Sequence, residues 1–172
     1  FSYRYERSRG RDRSSRVNII INGVAPQLPT VIDDGLFVGV ADEPISISAD
    51  SPLNLLANDE NEDLDSLEIT RVVIEAISYD VSGTEVITTA TGVKLTISNN
   101  GAFTLDTSGS ADFLALGPDE ELAYDFTYFA SNSIGESAEG ARVSLEISGT
   151  AISLPVAVAD RYIVSADSTL AV

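Results

Sequence analysis

The sequence predicts an all-β chain folded as an antiparallel sandwich, and three observations predict it. Apolar and polar residues alternate with a period of two over several short segments, as in a strand with one buried face. Those segments are separated by clusters of Gly, Asn, Asp, Ser and Pro, the residues a chain uses where it reverses. No segment carries a convincing helical period. With 172 residues, 44% of them hydrophobic, the chain is long enough to bury one core without disulfides.

Taken in order, "FSYRY" at Phe1 already reads as a strand, and short apolar runs follow at "PISIS", "PLNLL", "LEITRVVI" and "EVITT". Alternation is cleaner in "VKLTIS", "AFTLD" and "AYDFTYF", and cleanest in "ARVSLEISG", where Val143, Leu145 and Ile147 alternate with Ser144, Glu146 and Ser148. Between them stand "SGT", "NNG", "SGSAD", "LGPDEE" and "SIGES", each read as a turn. About seven to nine short strands at this spacing suit two packed antiparallel sheets. The same spacing places Leu95, Ile97, Phe103, Phe126, Tyr128, Val143, Leu145 and Ile147 in the core.

The chain also repeats itself. The opening "FSYRYERSRGRDRSSRVNIIINGVAPQLPTVIDDG" lies over "FTYFASNSIGESAEGARVSLEISGTAISLPVAVADR". Phe1, Tyr3 and Gly10 match Phe126, Tyr128 and Gly135 at an offset of 125, and after one inserted residue Arg16, Val17, Gly23, Pro29 and Asp34 match Arg142, Val143, Gly149, Pro155 and Asp160 at 126. The expected organisation is the closing hairpin and linker of one unit over 1–30, a complete unit over 31–150, and a linker with the first strand of a third unit over 151–172. The chain opens without Met or a signal peptide, which fits a segment of a longer polypeptide.

Charge narrows the function. The formal net charge is −17, and the arginines Arg4, Arg7, Arg9, Arg11, Arg13 and Arg16 crowd the first sixteen positions, so residues 17–172 carry a net of −21. Such a body repels nucleic acid and anionic membranes and attracts cations. Cys, His, Met and Trp are absent, which removes thiol and imidazole chemistry and the soft metal ligands and leaves oxygen donors. No run of apolar residues is long enough to span a bilayer.

The acid concentrates in "LLANDENEDLDSLEIT", Leu55 to Thr70, between flanking leucines. Alternating Asp59, Asn61, Asp63 and Asp65 suit a calcium site, because calcium takes six to eight oxygen ligands from a flexible loop. An EF-hand is excluded: counting from Asp59, the sixth position is Leu64 and the twelfth Thr70, where Gly and Glu are needed. The other reading of the loop is a solvated acidic turn that keeps strand ends soluble. Asp119, Glu120 and Glu121 follow Gly117-Pro118 and read as an exposed charged turn, not as glycosidase acids. Phe103, Phe113, Phe126 and Tyr128 read as core, not as a sugar platform. The Arg-rich "YERSRGRDRSSR" aligns with "YFASNSIGESAEGAR" and so reads as a hairpin connection whose arginines meet acidic neighbours or water.

The succession "VIDDG", "LLANDENEDLDSLEIT", "NNGAFTLD", "FLALGPDEELAYDFTY" and "ARVSLEISGT" resembles the cadherin-like and VCBS-type tandem repeats of large bacterial surface adhesins. The resemblance covers the central unit. It implies an immunoglobulin-like, cadherin-like sandwich, secretion to the cell surface, neighbouring repeats of the same polypeptide as partners, and calcium near the unit junctions. It also adds Asp33 and Asp34 to Asp59, Asn61, Asp63 and Asp65 as ligands. The expected role is a non-catalytic, calcium-stiffened spacer. The alternatives are a building block of an extracellular filament or sheath, with copies meeting head to tail, and a module that itself binds glycan or protein.

Overall fold

The computed structural model describes residues 2–5, 13–16, 18–19, 25–62 and 65–150. Two strands, β1 (Ser2–Tyr5) and β2 (Arg13–Arg16), pair antiparallel with each other. The remaining strands are β3 (Asp34–Val40), β4 (Ile45–Ile47), β5 (Glu68–Ile74), β6 (Ile77–Asp80), β7 (Thr84–Thr88), β8 (Lys94–Ser98), β9 (Phe103–Asp106), β10 (Glu121–Ser131) and β11 (Ala141–Ser148). They form a five-stranded sheet ordered β3-β11-β10-β5-β6 and a four-stranded sheet ordered β4-β9-β8-β7. This is the all-β sandwich that the alternation predicts.

The sheets meet through aromatic contacts. Phe37 on β3 lies edge-to-face on Phe103 of β9 with ring centroids 5.2 Å apart, and Phe103 meets Phe126 of β10 at 5.7 Å. All eight residues expected in the core are no more than 2% exposed. Alternation specifies this, because shifting a strand by one residue would turn its whole apolar set to water.

Four details depart from the sequence reading. The pairing is not wholly antiparallel, since β3 runs parallel to β11 at the edge of the larger sheet. "PLNLL" is a series of turns, because Asn54 bonds locally instead of extending. "SGSAD", read as a turn, leads into a single helical turn, α1 (Ala111–Leu114), that buries Phe113. The strands β3 and β6 lack clean alternation: β3 carries Gly35 and Gly39, and side chains of β6 stay largely exposed.

Between β5 and β6 the chain reverses on Glu75 and Ala76, whose φ angles of 49° and 63° are both left-handed. Two-residue hairpin turns with positive φ at both positions favour Asn-Gly, since a Cβ there crowds the backbone. The Glu75 carboxylate holds the turn by accepting hydrogen bonds from the Thr91 and Tyr124 hydroxyls. Ala76→Gly is therefore expected to stabilise the fold by about 1 kcal/mol, read from chemical denaturation. Unchanged or lower stability would show that the turn carries no strain.

The hairpin β1–β2 repeats the register of β10–β11. Ser2 faces Arg16 and Tyr3 faces Ser15, while Thr127 faces Arg142 and Tyr128 faces Ala141. These are the pairs that the offsets of 125 and 126 equate.

Candidate metal centre

The acidic loop is placed by its apolar and amide anchors. Leu55 is fully buried. Asn54, also buried, donates its amide to the Asn100 carbonyl at 3.0 Å and accepts from the Leu56 N–H at 2.9 Å, tying the start of the loop to the turn between β8 and β9. Gly101 in that turn has φ 84°, and a Cβ there would strike the Asn54 side chain, so both backbone and space require glycine. At the other end Leu67 packs against the core. The leucines at the two ends of the acidic run thus act as its anchors.

Held this way, the loop grips the segment leading into β3. The Ile32 N–H donates to Asp59 Oδ1 at 2.8 Å, and the Asn58 amide donates to the carbonyls of Ile32 and Asp33, both at 3.2 Å. Thr30 and Glu60 exchange both backbone hydrogen bonds at 3.0 Å. Gln27 donates its amide to Glu62 at 3.2 Å, and its carbonyl accepts from the Asn132 amide at 2.8 Å. The Arg142 N–H, at the start of β11, donates to Asp33 Oδ1 at 2.7 Å. Residues 27–33 are thereby fastened like a strap across the end of the sandwich.

Beneath the strap, Asp34 and Asp59 meet at Tyr128. The Tyr128 hydroxyl lies 2.7 Å from the Leu55 carbonyl and 3.0 Å from both Asp59 oxygens, and its single proton serves one acceptor at a time. Asp34 Oδ2 is buried and has no hydrogen-bond partner. Burial and the Asp59 charge push the Asp34 carboxyl up to about 7, with a smaller contribution from Asp33 and opposition from the Tyr128 hydroxyl. Burial likewise lifts Asp59 to about 6, against the hydrogen bonds from Ile32 and Tyr128 that hold it down. Burial and the two neighbouring carboxylates push the Tyr128 hydroxyl far upward, so it stays protonated.

The six expected ligands separate into distinct places. Asp34 and Asp59 come together, whereas Asp33 is occupied with Arg142. Asn61 and Asp65 bond to each other: the Asn61 amide donates to Asp65 Oδ1 at 2.8 Å and to its carbonyl at 2.9 Å. Asp65 also accepts from the Ser133 N–H at 2.8 Å, and these hydrogen bonds hold its carboxyl down to about 2. Asp63 lies outside the described residues. Among the described residues no three acidic side chains form a ready-made cage. Even so, the Asp34–Asp59 pair fits a hard divalent cation: its donors are oxygens, one is buried without a partner, and burial makes two negative charges costly there. Two carboxylates are fewer than six to eight ligands, so the pair is part of a shell.

Sequence reasoning missed Tyr128 as the hub, reading it only as core. The available signal was its hydroxyl, which needs a partner when the ring is buried. Asn58 and Asn132 gave no periodic signal, because their roles rest on contacts distant in sequence.

No family model matches the chain, and no curated protein matches it. Among the described residues no helix is long and apolar enough to cross a membrane.

Proposed function

We propose that the chain is part of a tandem array of cadherin-like, immunoglobulin-like units in a secreted bacterial surface protein, where the unit over 31–150 serves as a non-catalytic spacer. The observation that carries this reading is the strap: residues 27–33, which lie in the sequence between the β1–β2 hairpin and β3, are fastened to the acidic loop along their length and at Gln27 to the β10–β11 turn as well. A connector fastened at several points swings less than a free one, so force along the chain passes into the sandwich. The shared hairpin register supports the tandem arrangement, and the parallel pairing of β3, the first strand of the unit, with β11, the last, supports the cadherin-like topology.

Asp34 and Asp59 would hold calcium with further oxygen ligands, and a bound ion would supply the positive charge that this half-buried pair lacks. Tyr128 and the Ile32 N–H orient Asp59, and Asn58 keeps the strap beside it. Since the ion would bind the folded state and not the unfolded chain, it would stabilise by about 2.7 kcal/mol at a hundredfold excess over its dissociation constant. Millimolar calcium is expected to raise the melting temperature, chelator to reverse the rise, and Asp59→Asn to remove most of it while Glu120→Gln leaves it intact. Identical melting in calcium and in chelator would defeat the reading.

A further inference from the structure

Asn100 and Gly101 lie at the tip of the turn between β8 and β9, and an asparagine followed by glycine is chemically labile. With no Cβ on the glycine, its backbone nitrogen reaches the asparagine side chain without steric hindrance. Attack of that nitrogen on Cγ forms an N–C bond and breaks the bond to the side-chain nitrogen, which leaves as ammonia with the proton that the glycine amide gives up. Water then opens the resulting succinimide at one of its two carbonyls. One opening leaves an ordinary aspartyl residue. The other leaves an isoaspartyl linkage, in which the main chain runs through the former side chain, is a methylene longer, and carries the former backbone carbonyl as a free carboxylate.

The fold presents the electrophile and withholds the nucleophile. Asn100 is exposed, and its Oδ1 accepts from the Ala102 N–H at 3.2 Å, which draws electron density from Cγ. Gly101 is buried with φ 84°, and its N–H is committed to the Ser98 carbonyl at 3.0 Å. Neighbouring segments pin the turn in place. The Asn99 N–H donates to the Gly83 carbonyl at 2.7 Å, and the Asn99 carbonyl accepts from the Ile69 N–H at 2.8 Å. The Asn100 carbonyl accepts from the Asn54 amide at 3.0 Å, so rotating the Asn100 backbone to bring the nitrogen onto Cγ breaks that bond as well. We infer that Asn100 is a site of spontaneous covalent modification that the folded unit keeps latent: cyclisation proceeds only from states in which the β8–β9 turn has opened, and the isoaspartyl product does not rebuild the turn. The product fails for want of space, because a Cβ placed on Gly101 would already strike the Asn54 side chain. Asn54 and Leu55, which bond to the Asn100 and Gly101 carbonyls, begin the acidic loop, and the Leu55 carbonyl accepts from Tyr128. Conversion at this exposed turn therefore loosens the loop. No bound cation and no neighbouring unit enters this chemistry.

Ageing the full chain in mildly alkaline buffer tests it, with the peptide containing Asn100 resolved into asparaginyl, aspartyl and isoaspartyl forms by chromatography and mass spectrometry. The folded chain is expected to convert at least about tenfold more slowly at Asn100 than the same chain unfolded in guanidinium chloride, because the reaction waits on local opening. Asn54→Ala, which removes one clamp on the turn, should convert faster than the parent while both are folded. The isoaspartyl protein, once separated, should melt several degrees below the parent, whereas Asn100→Asp, which adds the same charge without lengthening the chain, should melt close to it. Equal rates in the folded and unfolded chains overturn the latency. An isoaspartyl protein that melts like Asn100→Asp overturns the effect on the loop. If Asn54→Ala folds poorly, the two rates of the parent decide the first point on their own.

Discussion

Phe126→Ala is expected to destabilise the sandwich by about 3–5 kcal/mol, the largest single effect among the substitutions considered. The ring is 1% exposed and lies edge-to-face on Phe103, which in turn contacts Phe37, so it belongs to the line of aromatics joining the two sheets. Truncation removes its buried area and leaves a cavity between the layers that two sheets, each held rigid by its own backbone hydrogen bonds, close only in part. It also loosens Phe103 at the centre of the line. A loss of this size lowers the melting temperature by on the order of 10 °C. Phe129→Ala gives the contrast: Phe129 is only partly buried and stacks beneath the Arg71 guanidinium, 3.5 Å above its centroid, so less apolar packing is lost there. Equal losses for the two variants in chemical denaturation would show that the aromatic line has no special role.

That expectation was legible before the fold, because Phe126 and Tyr128 sit two apart on a strand whose alternation has one phase only. β11 was equally legible through Val143, Leu145 and Ile147. The parallel seating of β3 was not, since Gly35 and Gly39 break its alternation and its partner lies more than a hundred residues away. The acidic loop shows the same division. Its placement between Leu55 and Leu67 could be read from the apolar anchors, whereas the sorting of its carboxylates could not. Asp59 turns inward because Tyr128 and the Ile32 N–H meet it there, and Asp65 turns toward Ser133 on a hairpin more than sixty residues away. Residue type tells what each group can bond, but long-range topology decides which bond it makes.

In chelator, the fold is expected to become less stable as pH rises from about 4 to about 7. The direction follows from linkage. Asp34 and Asp59 hold their protons up to about 7 and about 6 in the folded state, against an ordinary value near 3.8 in the unfolded chain. Between those limits the folded state binds more protons than the unfolded one, so stability falls with rising pH, and the contribution is fully present only below the ordinary value. Each unit of pKa difference corresponds to about 1.36 kcal/mol, but both carboxylates are partly open to solvent, and screening leaves about 1–2 kcal/mol for the pair. That is a drop of a few degrees in melting temperature. Carboxylates held low, namely Asp65, Glu75, Asp106 and Glu136, act in the opposite sense and lose their contribution only as pH falls below about 4. The maximum in chelator therefore belongs near pH 4 to 5. Saturating calcium should flatten the slope between pH 5 and 7, because a bound cation favours the ionised pair, and its binding near pH 6 should release protons measurable by titration. Relief of repulsion across the acidic body also favours low pH, so Asp34→Asn is the decisive comparison. Removing one titrating group and its charge should raise the melting temperature at pH 8 and flatten the slope in chelator. A parent chain whose melting temperature climbs steadily from pH 5 to 8 in chelator would mean that Asp34 and Asp59 are not held as a half-buried, cation-seeking pair.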